Sequence, residues 1–315
     1  MMRKILGLIR KKMAPQVLKQ KKVSGSAAAR TAFLKGRTPT VLSISNPNHP
    51  WTTAEPAWHE LWADWFKGRS ILVKINLNTA DPYPASTCPS FLRDFLAFLR
   101  GNGAGEILVG DCSSLSSLPT RRVARRIGLD GAVDGLARLV FFDEMEWVEV
   151  SVSGQYLSSV TVPALLYKVD RVINLTNLKT HFLADYSLAL KAPVGYMHPL
   201  ERITMHQANL QQKIVELNLA VMADLSVIDG RIAMISGGPA RGSTFPAGLI
   251  LIGDHPAAVD FQAYRELFRI KQQQHCVEHF NENPLEMPQL RHAARIWPAD
   301  EWRHYQLLHY QEPSG

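Results

Sequence analysis

Asn174-Leu175-Thr176-Asn177-Leu178-Lys179-Thr180-His181 follows directly on the apolar pair Val172-Ile173, and Lys191 and His206 come soon after. The apolar pair reads as the end of a buried strand. Two amides, a cation and an imidazole then stand beside that strand, and such groups need a partner to leave water. In open α/β folds the partner is usually a ligand, bound outside the carboxyl ends of the strands. If 178–180 is extended, Lys179 and His181 point to the same side, because side chains repeat every two residues. Residues 185–190 read as a helix that ends on Lys191.

The chain on either side repeats one pattern. Thr40-Val41-Leu42-Ser43-Ile44-Ser45 alternates as a first strand would, and 71–76 and 106–111 are short apolar runs. Between the last two, Phe91, Leu92, Phe95, Leu96 and Leu99 recur at helical spacing and stop at Gly101 and Gly103. Strand, helix, strand at this spacing predicts a βαβ unit. Residues 139–143, 167–174, 225–229 and 248–254 add strands, while 120–127, 214–222 and 257–268 add helices. Trp51, Trp58, Trp62, Trp65 and Phe66 form an aromatic stripe that reads as packing. The fold class expected is α/β: a largely parallel sheet flanked by helices, with two lobes around a cleft as one arrangement open to it. Asn76, Asp111, Asp143, Asn174 and Asp229 each close an apolar run. Singly, such residues start turns; together at one sheet edge they would rim a cleft.

The chemistry rests on few residues. A lysine at an apolar helix end is partly desolvated, which lowers its pKa and makes it a base or nucleophile. It also complements a helix C-terminus, and both readings stand for Lys191. Histidine near neutrality serves as acid, base or metal ligand. His181, Lys191 and His206 are thus the candidate catalytic groups, able together to abstract a proton beside a carbonyl or carboxylate. Lys179 is the candidate anion contact, and Asn76, Asp111, Asn177, Asp229 and Arg241 complete the candidate substrate site. Arg241 lies in Ser236-Gly237-Gly238-Pro239-Ala240-Arg241-Gly242, a loop whose backbone N–H groups could approach an anion. His198 and His206, eight residues apart, could share a metal, although the spacing matches no ligand motif. No HExxH, Walker lysine loop or GxSxG elbow occurs. The cofactor is therefore unidentified, with a divalent metal left open.

Charge is uneven along the 315 residues. The net charge is +7, but residues 1–22 carry eight Lys or Arg and no acid, which leaves 27 basic and 28 acidic residues in the remainder. The basic character belongs to an arm, and the body is not that of a nucleic-acid-binding protein. With Ile5, Leu6, Leu8 and Ile9, the arm reads as a short basic amphipathic helix for an anionic membrane surface or an acidic protein partner, or as a solvated terminus. Its apolar part is too short for a secretory signal, and no apolar run of about 18 residues exists to span a membrane. Cys88, Cys112 and Cys276 form neither a disulfide framework nor a CxxC site. A cytoplasmic location is expected, with peripheral membrane attachment through the arm as the alternative. Three parts are expected: a basic arm and linker over 1–35, an α/β core over 36–270, and a partly helical tail over 271–315.

Read in order, VINLTNLKTH, SLALK, HQANLQQKIVELNLAV, LSVIDG and LILIGDHPAAVD resemble the bacterial and archaeal family called domain of unknown function 362, and VKINL, YPAST and ILVGD upstream fit it too. The resemblance runs from about residue 71 to 268. Some relatives carry a ferredoxin-type module, whose cysteine runs this chain lacks, so the resemblance brings no iron–sulfur cluster with it. A remoter resemblance is to the nickel-pincer lactate racemases, in which a lysine follows a Pro-His segment by ten residues and a further histidine comes later. Here His181 and Lys191 are ten apart and His206 lies fifteen beyond. That likeness implies a shared scaffold with its site in a cleft. Leu188-Ala189-Leu190 stands where the racemases have glycines, and Asp111-Cys112 stands near their earlier catalytic histidine, so their hydride transfer is not implied. The leading expectation is an enzyme for a small anionic substrate, working by Lys/His acid–base or cofactor-assisted chemistry at the strand exits. Lys191 and His181 would be base or cofactor anchor, and His206 acid or metal ligand. The alternative is a non-catalytic binding or accessory protein of a redox or metal pathway, docked through the arm.

Overall fold

The computed structural model describes residues 23–27, 29, 37–45 and 47–311. The arm at 1–22, and the membrane or partner contact expected of it, lie outside the described residues. In chain order the strands are β1 (Val23–Ala27), β2 (Thr40–Ser45), β3 (Ile71–Lys74), β4 (Ile107–Asp111), β5 (Arg138–Phe141), β6 (Trp147–Ser151), β7 (Ser159–Pro163), β8 (Arg171–His181), β9 (Asp185–Ser187), β10 (Leu225–Met234), β11 (Thr244–Phe245), β12 (Leu249–Gly253) and β13 (Gln306–Gln311). The main sheet runs β13-β2-β12-β10-β8-β3-β4-β5, with β9 and β11 attached to β8 and β10. Along that path β12 alone runs against its neighbours, pairing antiparallel with β2 and β10. The other pairings are parallel, so the sheet is largely parallel, as the alternation of strand and helix patterns predicts.

Alternate residues of each strand enter different layers. On one face Ile71 and Val73 pack with Trp58, Phe91 and Phe95. On the other, Leu72 packs in a layer that includes Tyr264, Leu267 and Leu290. Burying one such apolar side chain contributes roughly 1.5–3 kcal/mol. The tryptophan stripe belongs to the first layer: the Trp51 ring lies 4.6 Å from Phe95, and Trp58 lies 5.2 Å from Phe66.

Three local expectations are corrected. Residues 23–27, read as linker, form β1 and pair in parallel with β6; their small residues show no alternation, and the ladder itself decides the conformation. Residues 185–190, read as a helix, instead turn back as β9, with Ser187 opposite Lys179 and Tyr186 opposite Thr180. Asp185 has φ 59°, outside any right-handed helix. The Ala189 and Leu190 N–H groups then bond the Asp260 carboxylate at 2.6 and 3.1 Å, so they are not available to an α-helical ladder. Asn174, read as a strand exit, lies inside β8, which continues seven residues further. Residues 271–315 contain the short helices Pro288–Ile296 and Ala299–Arg303 and then β13, which pairs with β2 at the margin of the main sheet.

Strand order reverses beside β3. From β3 the chain steps outward to β4 and β5, then returns to the opposite side of β3 as β8 and continues to β10. That is a topological switch point, where the connections diverge and leave a crevice at the carboxyl ends. β8 also outruns its neighbour: only Arg171 to Asn174 pair with β3. The residues from Leu175 to His181 therefore project past the end of β3 along that crevice.

Candidate functional site

A cavity of about 340 Å³ opens at this crevice, within the size range of small-molecule sites. Its basic lining is Lys74 from the end of β3, Lys179 and His181 from β8, Lys191, Arg202 and His206. Asp111, at the end of β4, is the one carboxylate lining it among the described residues. The sequence pattern explains part of the arrangement: Lys74, Asp111, Lys179 and His181 sit at or near the carboxyl ends of buried strands, whereas Lys191, Arg202 and His206 come from the turn and helix that follow.

Lys74 is 3% exposed. Its Nζ lies 3.5 Å from Asp111 Oδ1 and 3.4 Å from Asn76 Oδ1. Burial pushes its pKa below the ordinary lysine range, Arg202 adds to that, and Asp111 opposes it. Asp111 Oδ2 accepts the Leu77 N–H at 2.7 Å, which fixes the carboxylate. Gly195 covers this pair closely, and a Cβ there would overlap Asp111 Oδ1 and Lys74 Cε.

Lys179 is also 3% exposed and donates to Ala85 O at 2.6 Å. Burial, then the Lys191 and Lys74 charges, push its pKa down to about 7. Lys191 is half-buried, at the start of the 3₁₀ turn Ala192–Tyr196 and not at a helix C-terminus. Its Nζ has no hydrogen bond or ion pair among the described residues. Burial, with Lys74 and Arg202 close by, brings its pKa down to about 7 as well. The backbone behind it is held from two sides, by Asp260 at Ala189 and Leu190 N–H and by Asn218 Nδ2 at Leu190 O, 2.9 Å.

Arg202 comes from the helix Pro199–Met205. Its guanidinium donates to Met197 O (3.0 Å), Cys112 O (2.7 Å), Ser113 O (3.2 Å) and Gly195 O (2.8 Å). Carbonyls hold the group in place without neutralising it, so its charge adds to the field in the cavity.

The two histidines carry opposite tautomers, as their hydrogen bonds assign them. His181 Nδ1 accepts the Leu183 and Ala184 N–H groups, both at 3.2 Å, which puts its proton on Nε2. Burial, then Lys191, His206 and Lys179, push its pKa down to about 2. His206 Nδ1 donates to Arg202 O at 2.5 Å, which leaves the Nε2 lone pair open. Its pKa is lowered by burial and by the Lys191 and Arg202 cations, against the pull of that carbonyl. At neutral pH one ring offers a donor and the other an acceptor.

Of the residues expected from sequence, His181, Lys191, His206, Lys179, Asn76 and Asp111 line this cavity. Three expected contacts do not. Asn177 Nδ2 bonds Pro84 O (2.7 Å) and Ser86 O (2.9 Å), fastening β8 to the proline loop. Asp229 is buried and bonded to Arg231 and Tyr83. The Arg241 side chain is 91% exposed, 3.7 Å from Asp81. Its loop turns the Gly238 N–H onto Arg241 O, so that N–H does not face an anion. His198 and His206 cap opposite ends of one seven-residue helix, about 10 Å long at 1.5 Å per residue, and cannot share an ion. Among the described residues no three His, Cys, Asp or Glu side chains gather as a metal site.

Sequence reading missed Lys74 and Arg202. Lys74 had a signal, a lone cation inside the apolar run Ile71 to Ile75. Arg202 had none, because its position depends on how a short helix packs.

The sequence signature of the family described as domain of unknown function (DUF362) matches residues 71–265. No relative among curated proteins matches the sequence. Among solved structures, the lactate racemase apoprotein of Thermoanaerobacterium thermosaccharolyticum matches at 10% identity with a TM-score of 0.43, over 78% of this chain and 58% of that one. The chain thus spans under two thirds of that protein's length.

Proposed function

This chain belongs to the family described as domain of unknown function 362, and we propose that it is an enzyme for a small anionic substrate, working by proton transfer at a carbon beside a carbonyl or carboxylate. The observation that carries this reading is the company of Lys74, Lys179, Lys191 and Arg202 with one carboxylate in a single cavity. Four cations with one counter-ion repel one another, and a bound anion relieves that repulsion. Lys179, Lys74 and Arg202 hold the anion. Lys191 has an amine near half deprotonation at neutral pH, suited to taking a proton. The amine takes the proton from carbon, the C–H bonding pair becomes a carbon–carbon π bond, and the carbonyl π pair moves onto its oxygen to give an enolate. His181 Nε2–H donates to that oxygen, while His206 Nε2 is a second acceptor. The roles of the two histidines are thus the reverse of those that spacing suggests.

The test is solvent exchange. Full-length protein in D2O with small carboxylates that bear a carbonyl should exchange the hydrogen on the carbon between the two groups, and Lys191→Gln should abolish this. Exchange no faster than buffer, together with a Lys191 Nζ signal that phosphate leaves unmoved, would sink the reading.

A further inference from the structure

Among the described residues, three large apolar side chains are exposed: Phe182 at 69%, and Ile232 and Val277 at 37% each. Single exposed apolar residues need no explanation. Phe182 differs from the other two because it borders the cavity. Its ring lies parallel to the His181 imidazole, 5.4 Å between centroids and 3° between planes. Its backbone N–H meets Gly238 O at 3.5 Å, and Pro239 of that turn borders the cavity as well.

Exposure orders the cavity by depth. Lys74, Lys179 and Asp111 are sealed at the bottom, Lys191 and His206 are half-buried, and Phe182 stands at the mouth. Apolar side chains line the cavity between the charged floor and the opening, among them Leu115, Leu183, Leu188, Val194 and Ile203, while Asn78 and Ser116 share the exposed rim with Phe182. A volume of about 340 Å³ lies in the range of sites for small organic ligands, more than a simple inorganic anion fills. A bare anion would leave the apolar walls and the Phe182 face in contact with water.

We infer that the ligand is an amphipathic acid, with its anionic head among the lysines and an aromatic or branched apolar body against Phe182 at the mouth. Phe182 is then a specificity-determining residue: it touches the non-reacting part of the ligand and selects by stacking and apolar contact. This rests on the anion-binding reading above and narrows its substrate class.

Calorimetric titration of the full chain with acetate, phenylacetate, inorganic phosphate and phenyl phosphate tests both levels. Each aryl compound should bind at least ten-fold more tightly than its parent ion. Phe182→Ala should reduce that advantage to three-fold or less while acetate and phosphate bind as before. Phe182→Leu, which keeps apolar surface without the aromatic face, should fall between. The side chain is exposed, so these variants fold. Equal binding of aryl compounds and parent ions, or an aryl advantage that survives Phe182→Ala, overturns this inference and leaves the anion reading intact. Binding of none of the four overturns both.

Discussion

Lys74 Nζ lies 3.5 Å from Asp111 Oδ1, with both side chains sealed from solvent. Asp111 is also the anchor for the Leu77 N–H, so one carboxylate both fixes a loop and tempers the cations beside it. Breaking a buried pair from one side costs about 3–5 kcal/mol, because the remaining charge is left uncompensated. Asp111→Asn should therefore lose stability on that scale in urea unfolding. Lys74→Met combined with it should recover part of the loss. A loss below about 1 kcal/mol for Asp111→Asn would mean that the pair behaves as if solvated.

Stability should depend on pH in two opposed limbs. Lys179 and Lys191 fall to about 7 in the folded protein, against 10.5 ordinarily. Between those values the unfolded chain binds more protons, so stability rises with pH from 7 to about 10.5 and is flat below. Asp260 goes the other way, raised by burial from 3.8 to about 8. Between those values the folded chain binds more protons, so stability falls as pH rises from about 4 to 8. Urea midpoints should trace both limbs. Asp260→Asn should erase the lower one, and Lys179→Met with Lys191→Met should flatten the upper. A profile that the variants leave unchanged refutes the assignment.

The histidine tautomers can be read directly. In ¹⁵N–¹H correlation spectra at pH 7, His181 should show the proton on Nε2 and His206 on Nδ1. An imidazolium pattern for either ring at that pH contradicts the burial and cation effects assigned to them.

Gly195 lets the 3₁₀ turn rest on Lys74 and Asp111. Gly195→Ala introduces overlap in a packed site, which typically costs about 1–3 kcal/mol. It should also weaken anion binding, because Lys74 must move. Unchanged stability and binding would show that the turn has room to retreat.

Most of the architecture is visible in the order of residues. Runs such as Ile71 to Val73 and Leu249 to Gly253 are uniformly apolar because they are buried on both faces, and a parallel sheet follows from their alternation with helical patterns. The short element before Lys191 was not visible, since its conformation is set by Asp260, seventy residues away, capturing two N–H groups. The site divides in the same manner. Lys179 and His181 were legible because strand parity puts them together. Asp229 and Arg241 were misplaced because nothing local shows that Arg231 and Tyr83 occupy the first, or that the glycine turn closes on itself around the second.

The crowd of like charges gives the empty protein a built-in reporter. Repulsion that folding must hold in check is released by whichever acid fits, and at one ligand concentration the melting temperature rises with the logarithm of the affinity. Ranking a library of organic acids by thermal shift would therefore order candidates by fit before any reaction is known.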